Sequence, residues 1–305
     1  MMTVLITGGT GFIGRAVCHA LKAHKKNVVI LTRTPKAVQS GERAVASLDE
    51  IADTETLEGI INLAGAPINQ RWTKAYKKTL LHSRVGTTAN VISLITRLKT
   101  KPAFLISASA VGYYGPQPAT HKTTEDTPPQ ESFTHTLCHA WETKAREAEA
   151  LGVRTCLVRL GVVLEKGGGI FKELHGLYQW CLGGRIGSGT QGLPWIHRDD
   201  VVRALFFLME NAKMQGAYNL TAPEVTSQQT FSQTLGRVLG RPTLMPLPAC
   251  VVRLLFGEMG QELLLHGAYV YPEKLLKAGF TFTHPRLHDA LKAIVDKQDE
   301  PRLGS

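Results

Sequence analysis

VLITGGTGFIG, residues 4–14, decides the fold. A short apolar run, Val4-Leu5-Ile6, feeds directly into glycines at 8, 9, 11 and 14. Residues 3–7 read as a buried strand. Ala16, Val17, Ala20 and Leu21 then recur at helical spacing over 12–25. Both Gly9-x-Gly11-x-x-Gly14 and Gly8-x-x-Gly11-x-x-Gly14 can be read. Glycine permits the tight turn, lets a diphosphate approach the backbone, and lets the helix pack close to the strand. The helix start then offers N–H groups and a positive dipole end to the phosphates. The stretch predicts a dinucleotide site built on Gly8, Thr10, Gly11, Phe12 and Ile13. A Walker-type loop is excluded, because no Gly-Lys-Ser/Thr follows.

Outward from this stretch, strand and helix patterns alternate. NVVILTR (27–33) and IINLAGAP (60–67) read as strands, and 74–99 has helical periodicity. PAFLISASAVGYYG (102–115) reads as a strand breaking into a small-residue loop. A helix follows over 134–151, then a strand, TCLVRLGVVL (155–164). The alternation predicts an α/β protein, a Rossmann-type doubly wound parallel sheet. Beyond 165 the chain turns rich in glycine and aromatics, with helices expected over 199–212, 226–240 and 249–266. The expected organisation is a nucleotide-binding domain over 1–165, which elements from 199–220 can join. A smaller, mostly helical substrate region follows over 166–305.

The end of the second strand chooses between the two pyridine nucleotides. An NAD site places Asp or Glu about 20 residues past the glycines, to accept from the ribose 2′-hydroxyl. Here LTRTPK (31–36) puts Arg33 and Thr34 at that place, with Lys36 nearby. A carboxylate would repel a 2′-phosphate, whereas a guanidinium grips it bidentately. The expected cofactor is NADP, with NADPH preferred over NADH.

Composition narrows the classes further. The 305 residues are 43% hydrophobic and 20% charged, as in a globular protein. No apolar run is long enough for a membrane span, and no secretory signal opens the chain. The five cysteines are scattered, with no CxxC, so reduced thiols and a cytoplasmic location are expected. The net charge of +10 fits a solvated basic surface or attraction for an anionic ligand. The basic residues are spread along the chain without a zinc-finger or RNA-binding signature, so neither nucleic acid nor membrane is an expected partner.

TGGTGFIG, NLAGAP (62–67), the serines of LISASAVGYYG (105–115) and PWIHRDD (194–200) resemble the extended short-chain dehydrogenase/reductases. More narrowly, Arg71-Trp72, Ser83-Arg84, Trp141-Glu142, Gly167-Gly-Gly169, Gly183-Gly184 and Trp195-Ile-His197 resemble the atypical "epimerase family protein" group. That group is described as nucleoside-diphosphate-sugar epimerase-like, and residues 247–282 resemble its C-terminal segment of unknown function. The resemblance implies further cofactor contacts. Asn62, Leu63, Ala64 and Gly65 would lie beneath the adenosine, with Ser107 at the next strand end. Arg84 would approach from the following helix, and residues 159–163, with Leu160 and Val162, would pass the nicotinamide. Dimers through the helices at 74–99 and 134–151 occur in the wider superfamily, so a homodimer is an expectation.

The resemblance also exposes a departure. Ordinary members pair a proton-carrying tyrosine with a lysine four residues on, and the lysine lowers the phenol pKa. No tyrosine here has that lysine. Cys138 stands at the tyrosine place and Glu142 at the lysine place. An anionic Glu142 would raise a neighbouring thiol pKa, whereas a buried, protonated Glu142 could act as a general acid. Packing for Cys138, and a ribose-binding or surface role for Glu142, are the plainer alternatives. Ser109 takes the catalytic-serine place, and Tyr114 is a further proton carrier.

Tyr113 and His197 are candidate substrate contacts. In GGRIGSGTQGLPW (183–195), Arg185 and Gln191 can bind polar groups, and Trp195, like Trp180 before it, can stack on a planar or sugar face. The segment reads as a substrate lid. No metal is expected. Two functions follow: an NADPH-dependent oxidoreductase or epimerase-like enzyme on a small carbonyl or sugar-like substrate, or an NADP(H)-binding sensor or scaffold without turnover.

Overall fold

The computed structural model describes residues 3–35, 38, 42–119 and 121–297. Its strands are β1 (Thr3–Thr7), β2 (Asn27–Leu31), β3 (Arg43–Val45), β4 (Gly59–Asn62), β5 (Phe104–Ala110), β6 (Lys122–Thr123), β7 (Arg154–Leu160), β8 (Val162–Leu164), β9 (Trp195–His197), β10 (Gly216–Leu220) and β11 (Tyr269–Val270). Seven of them form one sheet in the order β10-β7-β5-β4-β1-β2-β3. β1 pairs parallel with β2 and β4, setting Ile6 against Ile30 on one side and Ile61 on the other. Val4, Leu5, Ile6, Ile60, Leu105 and Ile106 are all buried. Strands covered on both faces carry such continuous apolar runs.

The chain builds the sheet outward from β1 through β2 to β3, then returns to β4 and proceeds the other way. The reversal falls between β1 and β4. Ligands of doubly wound sheets bind at such a switch point, beyond the carboxyl ends of the strands. Gly8 follows β1 and Leu63 follows β4, so both candidate cofactor loops emerge there.

The helices are α1 (Phe12–Ala23), α2 (Lys74–Leu81), α3 (Thr87–Arg97), α4 (Phe133–Arg146), α5 (Gly169–Gln179), α6 (Arg198–Glu210), α7 (Gln228–Leu239), α8 (Ala249–Gly260), α9 (Glu273–Lys277) and α10 (Leu287–Asp296). The single helix expected over 74–99 is α2 and α3 joined by a π-helical turn, His82–Gly86. Such turns cluster at functional sites. The strand expected over 155–164 is β7 and β8, separated at Gly161. Among the described residues no helix is long and apolar enough to cross a membrane. Cys18, Cys138, Cys156, Cys181 and Cys250 are free thiols.

Two compact units result. The first comprises Met1–Tyr113, Phe133–Arg159 and Val201–Tyr218, and the second Tyr114–Ser132, Leu160–Asp200 and Asn219–Ser305. The two units interleave along the chain. Most of α6 belongs to the first unit. Residues 114–132 join the second, because Glu125 accepts the Asn219 and Lys274 N–H groups and β6 pairs with β11. Leu5, Ile60, Val91, Leu94, Leu105 and Leu157 share the core of the first unit. Phe171, Tyr178, Trp195, Phe231, Leu287 and Leu291 share that of the second.

Candidate functional site

The glycine turn has the geometry of an anion cradle. Gly8 has φ +71°, and a Cβ there would stand 2.9 Å from the Leu63 carbonyl. A side chain at this position would be strained and would push the two loops apart. The Gly11 N–H donates to the Gly8 carbonyl at 2.9 Å, closing the turn. A Cβ on Gly14 would overlap that same carbonyl oxygen, so α1 sits against the turn only with glycine there. No side chain caps α1, and its first turn carries no acid. That leaves the positive end of the helix dipole to an anion. Thr10, Gly11, Phe12 and Ile13 span this end, while Arg33 and Thr34 are exposed just past β2. Lys36 lies outside the described residues.

A buried polar network locks the neighbouring strand ends. Thr7 Oγ1 donates to Asn62 Oδ1 at 2.6 Å, and Asn62 Nδ2 donates to Thr88 Oγ1 (2.8 Å) and Ser107 Oγ (3.1 Å). The Ala64 N–H donates to Thr7 Oγ1 and the Trp141 indole to Thr88 Oγ1. Asn62 and Ser107 are fully buried, so their polar atoms hold β1, β4, β5 and α3 together. Past Asn62 the loop is accessible: Leu63, Ala64 and Ala66 are partly exposed, and Gly65 and Pro67 are exposed. Arg84, on the π turn, donates to the Ala66 carbonyl at 3.1 Å and to the Leu80 carbonyl at 3.3 Å. Its guanidinium lies 5.3 Å from the Trp141 ring centroid, and burial pulls its pKa down. Arg84 therefore braces the 62–67 loop from behind. Sequence reasoning passed over Thr7 and Thr88, since lone threonines carry no periodic signal.

The position expected to hold the proton-carrying pair holds an ion pair instead. Glu142 on α4 is 3% exposed. Arg159 on β7 donates to its two oxygens, Nε to Oε1 at 2.8 Å and Nη2 to Oε2 at 2.9 Å. Ser109 Oγ donates to Oε1 at 2.7 Å. The Tyr113 ring lies under the Arg159 guanidinium at 3.5 Å, and the Tyr113 carbonyl lies 2.6 Å from His135 Nδ1. Cys138 is buried one turn before Glu142; burial first, then the Glu142 charge, push its thiol up to about 11. Arg159 entered the sequence reading only as the first residue of the 159–163 stretch expected beside the nicotinamide, not as the partner of Glu142. The signal was present: an arginine in the middle of the apolar run TCLVRLGVVL requires a buried partner.

The second unit holds the remaining candidates. Tyr114 is fully buried and its hydroxyl donates to Asn219 Oδ1 at 2.6 Å. Leu160 and Val162 flank Gly161, whose N–H donates to the Leu220 carbonyl. Trp195 is buried, with its indole N–H on Thr226 Oγ1 at 3.3 Å. Gln191 donates to the Ile186 and Leu264 carbonyls at 3.1 and 2.7 Å. The 183–195 segment is further tied by Gly187 N–H to Leu247 O and by Gln229 N–H to Gly189 O. Its length is thus pinned by backbone bonds, and Arg185 is its exposed cation.

His197 is fully buried and stacks on His284 at 3.9 Å. Burial first, then the His284 charge, bring its pKa down to about 4. Glu165, His197 and Asp199 lie close enough to share a cation. Protein cations already meet them there. Lys297 Nζ lies 2.7 Å from Glu165 and 3.7 Å from Asp199, and Arg198 lies 3.2 Å from Glu165. His197 Nδ1 also accepts the Asp199 N–H at 3.1 Å.

Residues 4–221 match the NAD dependent epimerase/dehydratase family, and residues 247–294 match a domain of unknown function, DUF1731. An epimerase family protein of Staphylococcus haemolyticus is 35% identical, over 97% of this chain and 100% of that protein. The chloroplastic SDR39U1 homolog of Arabidopsis thaliana is 36% identical, over 96% and 87%. The crystal structure of human epimerase family protein SDR39U1 with NADPH superposes with a TM-score of 0.88 at 35% identity, over 97% of this chain and all of that one. The nested strand order, the glycine turn at the switch point and these end-to-end matches agree: the chain belongs to the NAD-dependent epimerase/dehydratase family.

Proposed function

We propose that the protein binds NADP(H) on its first unit, NADPH in preference to NADH, and holds it without the tyrosine–lysine proton relay of its wider superfamily. The observation that carries this is the closed Ser109–Glu142–Arg159 network. Ser109 directs its proton to Glu142, and Arg159 engages both carboxylate oxygens. Cys138 at about 11 has almost no thiolate at neutral pH. Tyr114 gives its proton to Asn219. The groups at the catalytic positions bond to one another, which suits a cofactor holder or sensor. The NADP preference is supported by Arg33 beyond β2, and by a human relative, 35% identical, whose structure was determined with NADPH. Five free thiols fit a reducing compartment, the cytoplasm.

Calorimetry with each nucleotide, paired with NADPH oxidation over a panel of aldehydes, ketones and nucleotide sugars, tests the proposal. Tight NADPH binding with no oxidation above the protein-free blank is expected. Turnover that Ser109→Ala or Glu142→Gln abolishes would replace it with the oxidoreductase or epimerase-like reading.

A further inference from the structure

The second unit displays apolar side chains that its own core does not cover. Trp180, just past α5, is 81% exposed, and Leu244 is 82% exposed. Leu177, Leu182 and Met245 are each about half exposed or more. The backbone brings the two groups together. The Met245 N–H donates to the Gly183 carbonyl at 3.3 Å, and the Leu247 N–H donates to the Arg185 carbonyl at 2.8 Å. The exposed side chains of 177–182 and 244–245 therefore stand on two adjoining segments, which we treat as one face. Patches of this kind on a soluble unit mark interaction surfaces.

The segments that carry these side chains are mostly basic. Residues 172–185 and 237–255 hold Lys172, Arg185, Arg237, Arg241 and Arg253 against Glu173, with Glu258 and Glu262 following further along. All five cations are exposed. We propose that this face docks on the surface of an anionic lipid bilayer, with Trp180 and Leu244 entering the headgroup boundary and the cations meeting the lipid phosphates. A tryptophan is well suited to that boundary, because its ring is apolar and its N–H can stay wet. The two most prominent side chains protrude with four-fifths of their surface open. A fluid interface accepts protruding side chains, whereas a peptide ligand needs a walled pocket. A second copy fits less well, since a two-fold contact would set five cations against five. Each cation adds attraction to an anionic surface, and salt screens it. The docking is peripheral, and independent of the cofactor proposal.

The tryptophans supply the probe. Trp72, Trp141 and Trp195 are buried, so Trp180 dominates the quenchable emission among the four. The full-length protein is mixed with vesicles of phosphatidylcholine alone, or with 30% phosphatidylglycerol, at low and high salt. The expected result is a blue shift and several-fold weaker acrylamide quenching with the anionic vesicles only. Co-sedimentation should fall at least fivefold at high salt. Leu244→Asp and Arg241→Glu, both of which keep Trp180, should each weaken binding at least fivefold and leave NADPH binding unchanged. Four results would overturn the proposal: no partition into either vesicle; binding insensitive to both substitutions; a lipid-free oligomer, seen by sedimentation, that shields Trp180; or an equal shift with polyglutamate, which would assign the face to an acidic protein.

Discussion

Arg159 and Glu142 meet through two parallel hydrogen bonds, 2.8 and 2.9 Å long, in a place where neither is open to solvent. This pair fixes the character of the whole site. At the position where the resemblance leads one to expect a lysine, Glu142 is held by a guanidinium from β7. Removing one partner of a buried ion pair leaves the other charge uncompensated, at a cost of about 3–5 kcal/mol. Arg159→Met should therefore lower the urea-unfolding free energy by that amount, and Glu142→Met by a similar one. The double variant should recover at least about 2 kcal/mol of the sum. Additive losses would mean that the two side chains contribute independently.

Arg33 separates the two cofactors. Arg33→Ala should weaken NADPH binding by about tenfold, the worth of a charge-assisted contact with one phosphate, and leave NADH binding within twofold. Titration calorimetry with both nucleotides reads this directly. Equal losses for the two would move the 2′-phosphate contact elsewhere.

The glycine turn gives a prediction with two signs. Gly14→Ala would drive a methyl into the Gly8 carbonyl and should abolish NADPH binding and lower stability by about 2 kcal/mol or more. Gly176, inside α5, faces open space. Gly176→Ala should stabilise by roughly 0.5–1 kcal/mol, the helix-propensity difference, with cofactor binding intact. Thermal and urea unfolding of both variants settle the comparison.

The His197 imidazole makes stability pH-dependent in a definite direction. In the unfolded chain it takes up a proton near 6.5; in the folded protein it does so only near 4. The unfolded state binds more protons between these values, so stability is full above about pH 6.5 and falls as the pH drops toward 4. The loss attributable to this group is up to about 3 kcal/mol. His197→Gln should flatten the urea midpoint over that window. An unchanged slope would place the acid sensitivity on other groups.

Much of this architecture was legible in the chain. The strand, glycine turn and helix of 3–25 are local, and each glycine has a steric reason that the spacing already implied. The parallel sheet followed from short apolar runs alternating with helical patterns. The domain boundary was less legible, because residues 114–132 join the second unit through Glu125, whose partners at 219 and 274 are remote in sequence. The site was legible in part. Cys138 and Glu142 could be read from the sequence as departures from the tyrosine–lysine pattern. Their environment did not, since the partner of Glu142 sits 17 residues away on a neighbouring strand. Trp195, His197 and Gln191 are buried, a placement the sequence does not reveal, because polar and aromatic residues in a glycine-rich segment carry the same signature whether they face a ligand or a core.

The proposed function turns on a cofactor held where no proton relay operates. The most direct measurement is single-turnover mixing of the protein–NADPH complex with the carbonyl and nucleotide-sugar panel, followed at the nicotinamide absorbance. The expected result is a tight complex whose absorbance decays at the blank rate with every compound. Substrate-dependent oxidation that saturates and disappears in Ser109→Ala would contradict it.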